Sequence, residues 1–189
     1  MKARESGMPD EQMWDQFFHP EFILKGLGIQ NLTGTIVDLG CGYGTFTIPA
    51  AQLNQGAIYA LDIESEMIKI TQEKARIAGL KNVQTVQRDF VTLGTGLPAD
   101  SCEYVMLFNI LHAEEPAKIL TEARRILQPG GRVGVIHWVH DAFTPRGPSL
   151  DIRPKPEQCI SWLLEASFRT DGKIIEFPPY HYGLMGEKV

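Results

Sequence analysis

Thr35-Ile36-Val37-Asp38-Leu39-Gly40-Cys41-Gly42-Tyr43-Gly44-Thr45 is a short apolar run that meets an acid and then three alternating glycines. A run of this kind reads as a buried parallel strand that breaks into a tight turn before a helix. Glycine is needed in such a turn because the backbone bends sharply and a ligand approaches where a β-carbon would collide. Working outward, Ala57-Ile58-Tyr59-Ala60-Leu61 is a second strand that ends at Asp62. Asp62 stands about 20 residues past the first glycine, the spacing at which an acid reaches ribose hydroxyls. A dinucleotide fingerprint, G-x-G-x-x-G, would put its third glycine at position 45, which is Thr45. The turn therefore suits a nucleoside ligand better than a pyrophosphate.

These residues resemble the first motif of the class I S-adenosylmethionine-dependent methyltransferases, Val37-Asp38-Leu39-Gly40-Cys41-Gly42-Tyr43-Gly44, with Asp62 similar to that family's ribose-binding acid. Val86-Gln87-Arg88-Asp89-Phe90 resembles the third motif, Glu103-Tyr104-Val105-Met106-Leu107-Phe108-Asn109 the fourth strand and its motif, and Ile126-Leu127-Gln128-Pro129-Gly130-Gly131-Arg132-Val133 the turn into strand five. The resemblance runs from about Trp14 to the C-terminus. It implies S-adenosyl-L-methionine as cofactor, with Gly40, Gly42 and Gly44 shaping the backbone around its methionine part and Asp38 holding the ammonium group. It further implies that Asp62 accepts from the ribose, that Ile63 lies against adenine, that Asp89 and the Phe90 amide meet the base edge, and that Asn109 joins the same site.

At 189 residues the chain is long enough to bury roughly 70% of its unfolded surface, with no need of a metal or disulfide staple. A net charge of −5 gives no support for a nucleic-acid partner, which calls for clustered Lys and Arg. No signal-like segment and no apolar run of about 18 residues is seen, so a cytoplasmic protein with no membrane partner is expected. Cys41, Cys102 and Cys159 are odd in number and widely spaced, as free thiols are, and no metal site is expected. A thiol-bound metalloid substrate, as in arsenite methyltransferases, would need the three to converge, and Cys102 should enter its strand at the far end.

The first dozen residues are polar and expected to fray. Residues 1–30 read as a helical extension, broken at His19-Pro20 and packed near the cofactor crevice, and residues 31–189 as one domain. Strands are expected at 35–39, 57–61, 83–87, 103–108 and 132–138, and helices at 45–54, 65–78 and 116–127. Ser65 is expected to cap its helix and Gly79 to end it. A Pro-rich loop at 139–156, a helix at 157–166 and a terminal antiparallel hairpin from 173–177 and 180–185 complete the chain. The alternation implies an α/β fold: a Rossmann-like, doubly wound, seven-stranded sheet in a three-layer αβα sandwich.

A sulfonium already carries an activated methyl group, so transfer needs alignment, worth roughly 7–11 kcal/mol, more than covalent help. A hydroxyl or acidic carbon acceptor also needs a base, for which His112 is the first candidate and His140 the second. His137 flanks the end of the fifth strand. Asn109-Ile110-Leu111-His112 departs from the Asn-Pro-Pro-Tyr often carried by enzymes that methylate planar nitrogens. With no appended recognition domain, a small-molecule acceptor is expected, walled by the extension and the loop after strand five. Arg146, Arg153 and Lys155 offer charge to an anionic acceptor, although loop cations are usually solvated. A sensor or partner subunit that binds the cofactor without catalysis is the alternative, and a nicotinamide-dependent oxidoreductase a more distant one. Either a monomer or a homodimer fits.

Overall fold

The computed structural model describes residues 10–189. Most of the stretch expected to fray, residues 1–9, lies outside the described residues, and Glu11 already opens a helix. In chain order the elements are α1 (Glu11–Asp15), α2 (Pro20–Gly26), β1 (Ile36–Leu39), α3 (Thr47–Leu53), β2 (Ile58–Asp62), α4 (Ser65–Ile77), β3 (Val83–Gln87) and α5 (Phe90–Leu93). There follow β4 (Cys102–Phe108), α6 (Pro116–Ile126), β5 (Leu127–Trp138), α7 (Pro156–Glu165), β6 (Phe168–Arg169), β7 (Ile175–Phe177) and β8 (His181–Lys188).

The sheet order is β3-β2-β1-β4-β5-β8-β6, with β7 also on β8. The first five strands in this order are parallel, while β8 runs antiparallel to β5. Eight strands fill seven lanes, because β6 pairs with Glu187 and Lys188 and β7 with His181 to Gly183 of the same β8. The expected hairpin is β7 and β8, and the unexpected β6 is the outer half of one interrupted edge strand. From β1 the chain winds out through β2 and β3, then crosses back to β4. That reversal leaves a crevice beyond the C-terminal ends of β1 and β4.

Both faces of the sheet are covered, and alternation along each strand decides which side a residue serves. Val37, Val105, Leu107, Val133 and Val135 pack with α6 and α7, while Ile36, Tyr104, Met106 and Ile136 pack with α2 and α3. The hydrophobic face of α6 supplies Ile119, Leu120, Ala123 and Ile126, all buried, at helical spacing. Pro49 falls in the first turn of α3, where no intrahelical amide bond is lost. Ser65 is the first residue of α4 rather than its cap, and Glu64 caps without a side-chain bond. At the other end Gly79 and Leu80 donate back to Arg76 and Ala75, closing the helix as a Schellman motif.

Residues 18–29 form part of this same core. Leu24, Leu27 and Ile29 are fully buried, and the Tyr104 hydroxyl, inside the sheet layer, donates to the Leu27 carbonyl at 2.8 Å. Leu32 N–H donates to Asn54 Oδ1 at 2.8 Å, and Gly34 N–H to Glu103 Oε2 at 2.7 Å. Removing one partner of a buried hydrogen bond leaves the other unpaid. Tyr104→Phe is therefore expected to lower unfolding free energy by about 1–3 kcal/mol in urea titration; an unchanged midpoint would show that the bond does not hold α2 to the sheet.

Candidate cofactor and acceptor site

β1 delivers Asp38 to the crevice, and the chain turns at once. Gly40 sits at φ +80°, and a β-carbon there would come within 2.5 Å of Ile110, so the turn lies flat against the segment after β4. Two neighbours fix the turn from the side. Gly42 N–H donates to Asp62 Oδ2 at 2.9 Å, and the Thr71 hydroxyl of α4 donates to the Gly42 carbonyl at 2.9 Å. Gly44, at φ +74°, faces away from the crevice: its missing β-carbon is what lets Thr71 approach. Besides shaping the turn with its left-handed backbone, it thus seats α4 against that turn.

Beyond the turn lies a cavity of about 320 Å³ running from the end of β3 to the end of β5. Asp38, Gly40, Gly42, Asp62, Ile63, Asp89, Phe90, Asn109 and His112 all line it. Asp89 Oδ1 accepts from Thr92 N–H at 3.0 Å, which caps α5, a short helix not foreseen in the sequence. Phe90 is the first residue of that helix, so its amide has no intrahelical acceptor, while its ring is buried in the core. Asn109 adopts φ +55°, and both polar atoms of its side chain are buried without a hydrogen-bond partner.

The electrostatics are those of a site that wants a cation. Asp38 is 2% exposed, accepts from the Thr47 hydroxyl at 2.6 Å, and is raised to about 7, chiefly by burial and also by the charge of Asp62. Asp62 is likewise pushed upward by burial, against the pull of its bonds to the Glu64 and Gly42 amides. Among the described residues no Lys, Arg or His forms an ion pair with either acid. A ligand with one ammonium or sulfonium, a ribose and a base edge would satisfy these acids and the orphaned Asn109 amide together.

At the β4–β5 end the lining changes to aromatic rings. Phe46 and Phe108 meet at 4.8 Å, and Trp14 and Trp138 at 6.4 Å. The expectation that the extension and the loop after β5 wall the site holds for Trp14 and for Arg146, Gly147, Pro148 and Ile152. His112 Nδ1 lies 3.3 Å from Nε2 of His137, which is fully buried and held neutral by burial and by the neighbouring His112. One ring of the pair must carry the hydrogen between them, so His137 is one of the contacts that orient His112. His140 is exposed, bonds the Leu150 carbonyl at 3.0 Å, and lies outside the cavity. Arg153, read as a solvated loop cation, is instead buried beneath the loop. The three thiols are buried and free and belong to different regions: Cys41 at the glycine turn, Cys102 at the far end of β4, Cys159 in α7. No metal-binding cluster occurs among the described residues, and none of their helices is long and apolar enough to cross a membrane.

Sequence signals for the missed residues were weak. Phe46, Phe108 and Trp138 look like core aromatics until the sheet brings their ends together, and a His in a strand does not announce its neighbour.

This fold and crevice define a nucleoside-cofactor protein of the methyltransferase type. Residues 32–159 match the family model described as "Methyltransferase domain", and the chain belongs to that family. It is 30% identical over 146 residues to aklanonic acid methyltransferase DauC of Streptomyces sp. (strain C5), covering 71% of this chain and 64% of that protein. It is also 30% identical over 98 residues to the demethylmenaquinone methyltransferase of Geobacillus stearothermophilus, covering 50% of this chain and 41% of that enzyme. The chain thus spans less than two thirds of either relative. Among solved structures, an S-adenosylmethionine-dependent methyltransferase from Aquifex aeolicus superposes with a TM-score of 0.83 at 26% identity, covering 95% of this chain and 94% of that one. The [4+2]-cyclase SpnF shares the fold with a TM-score of 0.74 at 18% identity, covering 99% and 85%. The cofactor of the family is S-adenosyl-L-methionine.

If Asp38 meets the ammonium group of the ligand, as the resemblance implies, binding depends on pH in a definite direction. An ammonium group favours the ionised carboxyl, so below about 7 binding must first expel a proton from Asp38. Affinity for S-adenosylhomocysteine is expected to climb as pH approaches 7 and to level off above it, with proton release seen by calorimetry in buffers of different ionisation heat. Asp38→Asn should flatten that climb; a slope that survives the substitution would assign the proton elsewhere.

Proposed function

We propose that the chain transfers the methyl group of S-adenosyl-L-methionine to a small-molecule acceptor held at the β4–β5 end of the cavity, in the cytoplasm, as a monomer or homodimer. The observation that carries this is the pair of buried acids, Asp38 and Asp62, with no ion-pairing cation among the described residues, beside an aromatic-walled hollow. When bound, the cofactor supplies a methyl group already activated by its sulfonium. The protein's task is then placement and the exclusion of water.

In this reading Asp38 takes the ammonium, Asp62 the ribose hydroxyls, and Asp89 with the Phe90 amide the adenine edge, with Ile63 as an apolar neighbour. A carboxylate has about four lone-pair sites, so the Gly42 and Glu64 amides leave Asp62 room for a diol. Asn109 offers its unpaired amide to the same ligand. His112, oriented in part by His137, stands ready to take a proton from a hydroxyl or acidic carbon. The aromatic walls suit a flat, apolar body, and Arg146 at the rim suits an anionic group on it. Relatives named for aklanonic acid and for demethylmenaquinone support a small acceptor of this kind. A reading as a cofactor-binding protein without methyl transfer is favoured only by the shared fold of a cyclase.

Asp62→Ala is expected to weaken S-adenosylhomocysteine binding by about 1–3 kcal/mol in titration calorimetry; equal affinity would move the ribose away from β2. Incubation with methyl-labelled cofactor and a fractionated metabolite extract should label one small-molecule fraction, whereas binding with no labelled product would favour the non-catalytic reading. With an oxygen or carbon acid as acceptor, His112→Ala should slow labelling by about 10²–10⁴-fold while cofactor affinity is kept. A rate that does not change would show that no base at this position is used.

A further inference from the structure

The loop between β5 and α7 roofs the acceptor end of the cavity, and one buried side chain gathers its main chain from below. Arg153 is only 6% exposed. Its Nε donates to the Pro148 carbonyl at 3.0 Å, Nη1 to the carbonyls of Val139 at 2.9 Å and Asp141 at 3.1 Å and to the Thr144 hydroxyl, and Nη2 to the carbonyls of Arg146 at 3.2 Å and Pro148 at 2.7 Å. A guanidinium has five N–H donors in a rigid fork, and here the whole fork is used on main chain and one hydroxyl spread over ten residues. Among the described residues no carboxylate forms an ion pair with it, so carbonyl dipoles, one hydroxyl and the nearby charge of Asp141 offset the buried charge.

A second observation concerns what the fork presses down. Gly147 packs so closely between this guanidinium and the ring of Trp138 that a β-carbon there would lie 2.9 Å from both. Trp138, Gly147, Pro148 and Ile152 line the cavity, as does Arg146, whose carbonyl the fork holds. The guanidinium does not itself line the cavity.

We infer that Arg153 is the positioning residue of acceptor binding: it clamps the loop onto Trp138 as a preformed roof and thereby sets the shape of the acceptor end without touching either reactant. The inference rests on the acceptor site proposed above. Because the glycine turn, Asp62 and Asp89 belong to other strand ends, the clamp governs the acceptor and leaves the cofactor alone. Lysine keeps the charge but not the fork, so it does not substitute.

The test uses the full chain with Arg153→Lys, Arg153→Ala and, as a variant that keeps the guanidinium but crowds it and Trp138 with a β-carbon, Gly147→Ala. Trypsin cleavage after Arg146 reads the roof directly and is expected to be about tenfold faster in all three, since protease attack follows local opening. Calorimetry with S-adenosylhomocysteine should give wild-type affinity. With the acceptor fraction found for the wild type, KM for that fraction should rise about tenfold while KM for the cofactor stays put, and methylguanidinium should restore the Ala variant but not the Lys variant. Unchanged cleavage and unchanged acceptor KM would overturn the inference, and so would a loss of cofactor affinity in parallel with acceptor KM, which marks a general structural role. Should the wild type bind no S-adenosylhomocysteine, the function proposed above fails, while the cleavage rates still decide whether Arg153 holds the roof.

Discussion

An acid buried at the end of a buried strand is the constraint from which the site follows. Asp38 belongs to β1, whose four residues are all buried because strands flank it on both sides and helices cover both faces. Burying a carboxylate is unfavourable unless something shares its charge, and the protein provides one threonine hydroxyl. That shortfall raises the group toward neutrality and leaves it waiting for a cation. Asp62, one strand over, shows the same imbalance but is partly answered by the turn it holds. Binding the cofactor would relieve in the folded state what folding left unsatisfied.

The rest of the molecule can be understood as keeping that crevice open, dry and shaped. Thr71 and Asp62 pin the glycine turn from the two sides, so the turn does not collapse into the space. Of the α1–α2 segment, Trp14 lines the cavity while Phe18 backs it from the core, packing against Phe46 at 5.2 Å and against His181 at 4.4 Å. Burial pushes His181 down to about 3 and His137 well below its ordinary value, so neither adds a cation beside the β4–β5 end near pH 7, where Arg146 brings a charge to the lining. The hollow is thus acidic toward β1 and β2 and aromatic toward β4 and β5.

Much of this was legible beforehand, for identifiable reasons. β3 was read at its observed bounds and α4 and α6 to within one residue, because their apolar periodicity is unbroken and their ends carry Gly79 or Pro116. That Asp38, Asp62 and Asp89 meet at one cavity was legible because strand-end acids and a glycine turn sit in chain order. Gly44 shows what spacing leaves out: the motif marks the turn, but not that Thr71 of α4 packs where its β-carbon would be. Two-residue β6 escaped because its partner, at Glu187 and Lys188, lies some twenty residues on and no periodicity fits in two positions. Arg153 was misjudged because composition marks a loop cation as solvated, and only coordinates show a chain folded around it.

Sequence by itself determined the alternation of strands and helices, the parallel sheet and the acids at its carboxyl edge, since these depend on local propensity, period and order along the chain. Tertiary structure alone decided that His112 meets His137, that rings from residues 14, 46, 108 and 138 form one wall, and that a guanidinium lies under the loop it might have decorated. Such pairings join residues far apart in sequence, and they are chosen by how whole elements pack, which no local pattern encodes.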